Sequence, residues 1–234
     1  MQWKKSIVSS RLEIQCSSMA NRINYYDKSV QILENIRDLP RKPKLLLHAC
    51  CGPCSTFPLT FLCPYFDVTI YFANSNIYPE SEYHRRLDEL KKVLEYYKRD
   101  YGFEVGLIEP KYENEKFNVD LEPFKDLPEG QTRCFICYEK RMDEVYKYAN
   151  ENGYDYFSTV MSISRQKNSD KLNEIGAKLQ EKYPNTKFFF SDYKKKNGAE
   201  IGRQLKLKYN LYQQQYCGCK YTYEKMMRKK DESI

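Results

Sequence analysis

The sequence predicts an α/β fold, a doubly wound and mostly parallel sheet of about five strands. Short apolar runs alternate five times with longer charged, amphipathic stretches. Proline and glycine punctuate the alternation. Two of the three tight cysteine groups follow predicted strands, and open α/β sheets bind ligands beyond the carboxyl ends of their strands.

Taken in order, Asn24 to Ile36 reads as an amphipathic helix, with Ile23, Tyr26, Val30, Leu33 and Ile36 near helical spacing. Leu39-Pro40-Arg41-Lys42-Pro43 breaks it. Lys44 to His48 is a short apolar run between Pro43 and the first cysteines, hence a buried strand. Cys50 to Ser55 reads as a tight turn, with a helix running on through Phe57 to Phe61. Asp67 to Ala73 is the second strand, and Asn74 to Tyr78 a loop. Pro79 opens a long charged helix to about Tyr101, stopped by Gly102. Phe103 to Ile108 is the third strand, followed by an irregular stretch from Tyr112 to Gly130. Cys137 to Asn152 is helical and ends at Gly153. Tyr156 to Thr159 is the fourth strand. Ser169 caps a helix to Tyr183, stopped by Pro184. Lys187 to Phe190 is the fifth strand, Gly198 to Tyr209 a helix, and a short basic helix follows Cys217-Gly218-Cys219.

The 234 residues suit one well-cored domain. Met19-Ala20-Asn21-Arg22 resembles a native start, so residues 1–18 read as an N-terminal extension and 19–234 as a single catalytic domain. No apolar run approaches the length of a membrane span, and the N-terminus lacks the apolar core of a signal peptide. A cytoplasmic protein is expected. The formal net charge of +7, from 39 basic and 32 acidic residues, suits a polyanionic partner such as RNA, and a solvated Lys/Glu surface gives the same number.

Nine cysteines carry the chemistry. Seven fall in three groups: Cys50, Cys51 and Cys54; Cys134 and Cys137; Cys217 and Cys219. Cys16 and Cys63 stand apart. Without a secretory signal the pattern reads as metal binding or redox-active thiols rather than structural disulfides. Neighbouring Cys50 and Cys51 should point in different directions. On that reading Cys51 and Cys54 join Cys134 and Cys137 in a tetrathiolate site, Cys217 and Cys219 bring two more sulfurs, and Cys50 is left for a second centre. Zinc accounts for four thiols and leaves three unexplained. Iron–sulfur chemistry accommodates the surplus better. Neither a Gly-x-x-x-x-Gly-Lys-Ser/Thr loop nor a Gly-x-Gly-x-x-Gly fingerprint is present, so a nucleotide cofactor has no motif support.

Five ordered stretches carry a resemblance. They are His48-Ala49-Cys50-Cys51-Gly52-Pro53-Cys54-Ser55, Tyr71 to Pro79, Arg133-Cys134-Phe135-Ile136-Cys137-Tyr138, Phe157-Ser158-Thr159 with Ser162 and Ser164, and Tyr212 to Cys219. Together they resemble the non-cobalamin epoxyqueuosine reductases from about Lys44 to Glu224. The resemblance implies a nucleotide alpha-hydrolase-like fold, a 4Fe-4S cluster and a second mononuclear iron. Cys50, Cys51, Cys54, Cys134, Cys137, Cys217 and Cys219 would hold them. Cys-Cys-Gly-Pro-Cys stands where related folds carry a phosphate-binding loop. The implied reaction reduces the epoxide of epoxyqueuosine, at the wobble position of tRNA, to the alkene with loss of water. A small protein or other low-potential donor would supply electrons. The iron would act as Lewis acid on the epoxide oxygen. Tyr138, Tyr216 and His48 are candidate proton donors. Asn74, Asn76, Arg133 and Arg141 would hold the modified base or anticodon phosphates. Arg85 and Arg86, early in the long charged helix, read equally as polar groups at the strand-end crevice and as a solvated helix face. Lys194 to Lys196 is a basic run able to track phosphates. Two other functions are compatible with the residues: an iron–sulfur-dependent tRNA sulfur transferase and a zinc-stabilised RNA-binding module.

Overall fold

A computed structural model describes residues 23–231. The expectations for residues 1–18, Cys16 among them, lie outside the described residues. Five parallel strands form one sheet in the order β3-β2-β1-β4-β5. The central strand β1 (Lys44–His48) pairs with β2 (Asp67–Tyr71) on one side and β4 (Tyr156–Thr159) on the other. The edges are β3 (Gly106–Ile108) and β5 (Lys187–Phe188). His48, the last residue of β1, lies level with Tyr71 and Thr159. The winding reverses between β1 and β4, which opens a crevice beyond their carboxyl ends.

Both faces of the sheet are covered, which is why β1 reads as a continuous apolar run rather than an alternating one. Leu45 and Leu47 join a core with Leu59, Leu62, Leu90 and Val93. Those partners come from α2 (Gly52–Leu62) and α3 (Glu80–Tyr101). Leu46 faces the other side, with Met142, Val145 and Leu172. These belong to α5 (Thr132–Glu151) and α6 (Ser169–Lys182). All three leucines are fully buried, each worth about 1.5–3 kcal/mol of transfer free energy. The remaining helices are α1 (Tyr25–Ile36), α4 (Asn114–Asn118), α7 (Gly198–Lys208) and α8 (Lys220–Asp231). Among the described residues no helix is long and apolar enough to cross a membrane.

β1 and β4 match their expected bounds, and the other elements shift by a few residues. Asn24 caps α1 through its side chain, so Ile23 precedes the helix and is exposed. The expected turn over Cys50 to Ser55 is largely helix: Cys51 is the N-cap of α2, Pro53 sits in the first turn with its φ already suited, and Cys54 and Ser55 are helical. α5 begins at Thr132, so Cys134 and Cys137 both lie on its opening turns. Asn168, not Ser169, caps α6 by accepting the Lys171 N–H at 3.1 Å. β3 is shorter than expected because only Thr69 to Tyr71 of β2 face it. Likewise β5 pairs only with Tyr156 and Phe157. The irregular stretch after Tyr112 contains α4 and a 3-10 segment, Val119–Phe124.

Candidate metal centre

The carboxyl end of β1 delivers the first thiol group. The Cys50, Cys51 and Cys54 sulfurs all lie within 4.8 Å of one another, with Cys50 Sγ and Cys51 Sγ 3.9 Å apart. Adjacent Cys50 and Cys51 therefore do share a site. Alternation of side chains holds along a straight strand, but here the chain leaves β1 and bends into α2, with Cys51 at φ −174°. Thiolates on one tetrahedral metal with bonds near 2.3 Å stand roughly 3.8 Å apart, so this spacing fits a single ion. The positive end of α2 favours thiolate there. Hydrogen bonding with Cys51, and then with Cys54, holds the Cys50 thiol well below its ordinary range. Burial pushes Cys51 up, and the hydrogen bond with Cys50 pushes Cys54 up to about 12. The hydrogen-bonded trio thus favours a single thiolate; a bound cation is what would let all three ionise. Gly52 is required at the α2 start because a Cβ would meet the Glu89 carbonyl oxygen at 2.5 Å.

The other four thiols gather separately. Cys134, Cys137, Cys217 and Cys219 line a small cavity of about 30 Å³ with Asn76, Tyr138 and Lys167. The expected grouping of Cys51 and Cys54 with Cys134 and Cys137 is not what the structure shows. Cys134 and Cys137, on the opening turns of α5, share this lining with Cys217 and Cys219 of the carboxyl-terminal strap, residues 212–219. Gly130 N–H donates to Cys134 Sγ at 3.2 Å, and Thr222 Oγ1 lies 3.2 Å from both Cys217 Sγ and Cys219 Sγ. Cys217 also lines a wider cleft, about 390 Å³, that opens onto Cys50 and Cys54. Among the described cysteines it is the one common to both spaces. Cys63 is buried elsewhere, its thiol pushed up to about 12 by burial.

A buried arginine fixes the strap that carries Cys217. Arg86 is 1% exposed; its Nε donates to Glu82 at 2.7 Å. Its two terminal nitrogens donate to the Cys217 and Tyr216 carbonyls, each at 3.1 Å. A solvated helix face is thus excluded for Arg86. Gly218, at φ +112°, turns the strap back, and its carbonyl accepts the Tyr78 N–H at 2.8 Å. Gln214, also on the strap, donates to Cys51 Sγ at 3.2 Å and to Cys54 Sγ at 3.6 Å. Gln214 and Thr222 are absent from the site residues expected from sequence. Gln214 lies inside the Tyr212 to Cys219 stretch but the sequence gives it no role, and Thr222 lies beyond that stretch; the packing of the strap onto the thiols is what assigns both.

The expected proton donors and substrate-binding residues mostly belong to the frame. His48 is fully buried, Nε2 donating to the Ala73 carbonyl at 3.2 Å and Nδ1 accepting from the Thr159 hydroxyl at 2.8 Å. Tyr216 donates its hydroxyl to the Tyr78 carbonyl. Tyr138 lines the four-thiol cavity, and burial raises its phenol so that it stays protonated. Asn74 bridges the Ala49 carbonyl, at 2.7 Å, and Arg141, at 2.6 Å. Arg141 also reaches the Ala73 carbonyl at 3.3 Å. Arg133 ties down the Phe124, Lys125 and Leu127 carbonyls and lies 4.8 Å from the Tyr221 ring. Asn76 is 2% exposed with an Oδ1 that has no partner among the described residues, and it borders the four-thiol cavity.

His48 predicts a pH effect. Burial, then the charge of Arg141, lowers its pKa from 6.5 to about 3. Above 6.5 the ring is neutral in both folded and unfolded chains. As pH falls below that value the unfolded chain takes a proton that the folded one refuses. Stability from this group is therefore present above about pH 6.5 and falls by about 1.4 kcal/mol per pH unit toward pH 3. His48→Gln is expected to flatten this part of the profile, read as unfolding midpoint against pH relative to wild type.

Seven buried or half-buried thiols in two adjoining sets suit soft transition metals. The close trio could hold one metal ion, and the other four thiols line one neighbouring cavity. Nearby cations Arg86, Arg141 and Lys167 offset thiolate charge. Fold and site together define an α/β protein with a buried thiolate site for metal at its sheet switch point. The model of the family described as epoxyqueuosine reductase QueH matches residues 45–225, and the chain belongs to that family. An epoxyqueuosine reductase QueH of Staphylococcus aureus is 42% identical over 87% of this chain and 85% of its own length. That of Streptococcus pyogenes is 36% identical over 90% and 82%, and that of Thermotoga maritima 32% identical over 76% and 89%.

Proposed function

We propose that this protein reduces epoxyqueuosine in tRNA to queuosine, with Cys134, Cys137, Cys217 and Cys219 holding a 4Fe-4S cluster and Cys50, Cys51 and Cys54 a single iron. The observation that carries this reading is the partition of the thiols into a close trio and a ring of four that meet at Cys217. When bound, the iron centres supply low-potential electrons and a Lewis acid for the epoxide oxygen. The reaction takes two electrons and two protons, breaks both epoxide C–O bonds, forms the alkene and releases the oxygen as water. The cleft beside Cys50 and Cys54 has room for a nucleoside. Gln214 orients the Cys51 and Cys54 sulfurs by hydrogen bonds. Of the three candidate proton donors, His48 and Tyr216 are hydrogen-bonded into the frame, whereas the Tyr138 hydroxyl makes no hydrogen bond to the described residues, so Tyr138 is the one left to hold a proton at the inner wall. A low-potential donor and a cytoplasmic setting complete the reading.

Anaerobically purified protein is expected to carry about four or five irons and about four acid-labile sulfides per chain. Stoichiometric zinc without sulfide after reconstitution would remove the redox reading and favour a zinc-stabilised RNA-binding module.

A further inference from the structure

The segment Arg165-Gln166-Lys167, just after β4, lines the thiol cleft on one side and a second, outer groove of about 810 Å³ on the other. The groove is continued by Lys194, Lys195 and the N-terminal end of α6, and Tyr25 borders it. Its carboxylates are met internally. Asp192 pairs with Lys194 at 3.4 Å, and the Lys194 ammonium also feels Asp170. Lys194 further donates to the Ser162 carbonyl at 2.9 Å and to Ser169. It is a strut, not a free cation. By contrast, the side chains of Arg165, Lys167 and Lys195 make no hydrogen bond or ion pair with the described residues. Tyr25 stacks on Phe190, with ring centres 5.9 Å apart and planes 10° apart, so the ring is held rigid at the groove.

A cationic groove with a fixed aromatic at its edge is the chemistry that holds unpaired RNA, phosphates on the cations and a base on the ring. Because the same three residues wall both spaces, a strand in the groove can pass one nucleotide into the thiol cleft. We propose that this groove holds the ribose-phosphate chain flanking the modified nucleotide, with Arg165 and Lys195 on its phosphates and Tyr25 against a neighbouring base. The proposal rests on the RNA reading of the thiol cleft.

The test is binding of a fluorescent anticodon stem-loop RNA over a range of salt, using metal-loaded wild type, Arg165→Glu/Lys195→Glu, and a control with the same charge change at the opposite end of the sheet, Arg41→Glu/Lys187→Glu. The groove variant is expected to bind at least tenfold more weakly, and its salt slope to fall by about 0.7 for each phosphate that is no longer neutralised. Iron content, measured alongside, is expected to match wild type. Wild-type affinity in the groove variant, or equal weakening in both variants, would overturn the proposal. Turnover of epoxyqueuosine RNA by wild type is scored separately. Groove-dependent binding without turnover would leave the groove standing and remove the reductase reading; turnover with groove-independent binding would do the reverse.

Discussion

Cys50→Ala protein is expected to lose about one iron per chain and keep its acid-labile sulfide, whereas Cys134→Ala or Cys137→Ala loses the sulfide and most of the iron. The reason is geometric. Cys50 belongs to the trio whose sulfurs lie within 4.8 Å of one another, and Cys134 and Cys137 belong to the ring around the other cavity. Turnover is expected to vanish in all three variants, so metal and sulfide analysis, not activity, separates them. Cys217→Ala is expected to be the most damaging single change, since among the described thiols Cys217 alone lines both spaces. Equal loss of iron and sulfide from Cys50→Ala and Cys134→Ala would contradict two separate thiol sets.

Arg86→Met is expected to lower the melting temperature by about 10 °C, because breaking a buried ion pair costs about 3–5 kcal/mol and each kcal/mol is worth about 2–4 °C in a chain of this size. Glu82 would be left with its side chain 10% exposed and its cationic partner gone. Adding Glu82→Gln is expected to restore part of the melting temperature by removing that stranded charge. It is not expected to restore metal loading, because the Tyr216 and Cys217 carbonyls would still lack the donors that hold the strap. Recovery of both together would show that Arg86 acts on stability alone. Calorimetry paired with iron analysis separates the two roles.

Much of the frame is legible in the chain, for physical reasons. The Lys44–His48 run is apolar because β1 is buried on both faces, and the prolines before it leave no other reading. Gly102 stops α3 in a left-handed conformation, as a glycine there suggests. The seven clustered cysteines come together around two adjoining spaces, as their grouping in the chain suggests. Their partition does not follow from spacing. Side-chain alternation, which would separate Cys50 from Cys51, fails at the bend into α2. Pairing one Cys-x-x-Cys with the other takes no account of where the strap lies. Arg86 cannot be told from a surface residue by sequence, because what buries it is a segment some 130 positions later in the chain. The contacts of Gln214, inside the Tyr212 to Cys219 stretch, and of Thr222, beyond it, depend on the same distant packing. Asn74, Arg133 and Arg141 show the converse: polar residues in motif positions whose hydrogen bonds go largely to backbone carbonyls and to each other.

The most direct measurement is anaerobic incubation of the metal-loaded protein with epoxyqueuosine tRNA and a low-potential reductant, followed by nucleoside mass analysis. The expected result is a product lighter than epoxyqueuosine by one oxygen atom, formed by wild type and not by Cys217→Ala. A fully loaded wild-type protein that leaves epoxyqueuosine unchanged, or a Cys217→Ala protein that reduces it equally well, would contradict the assignment.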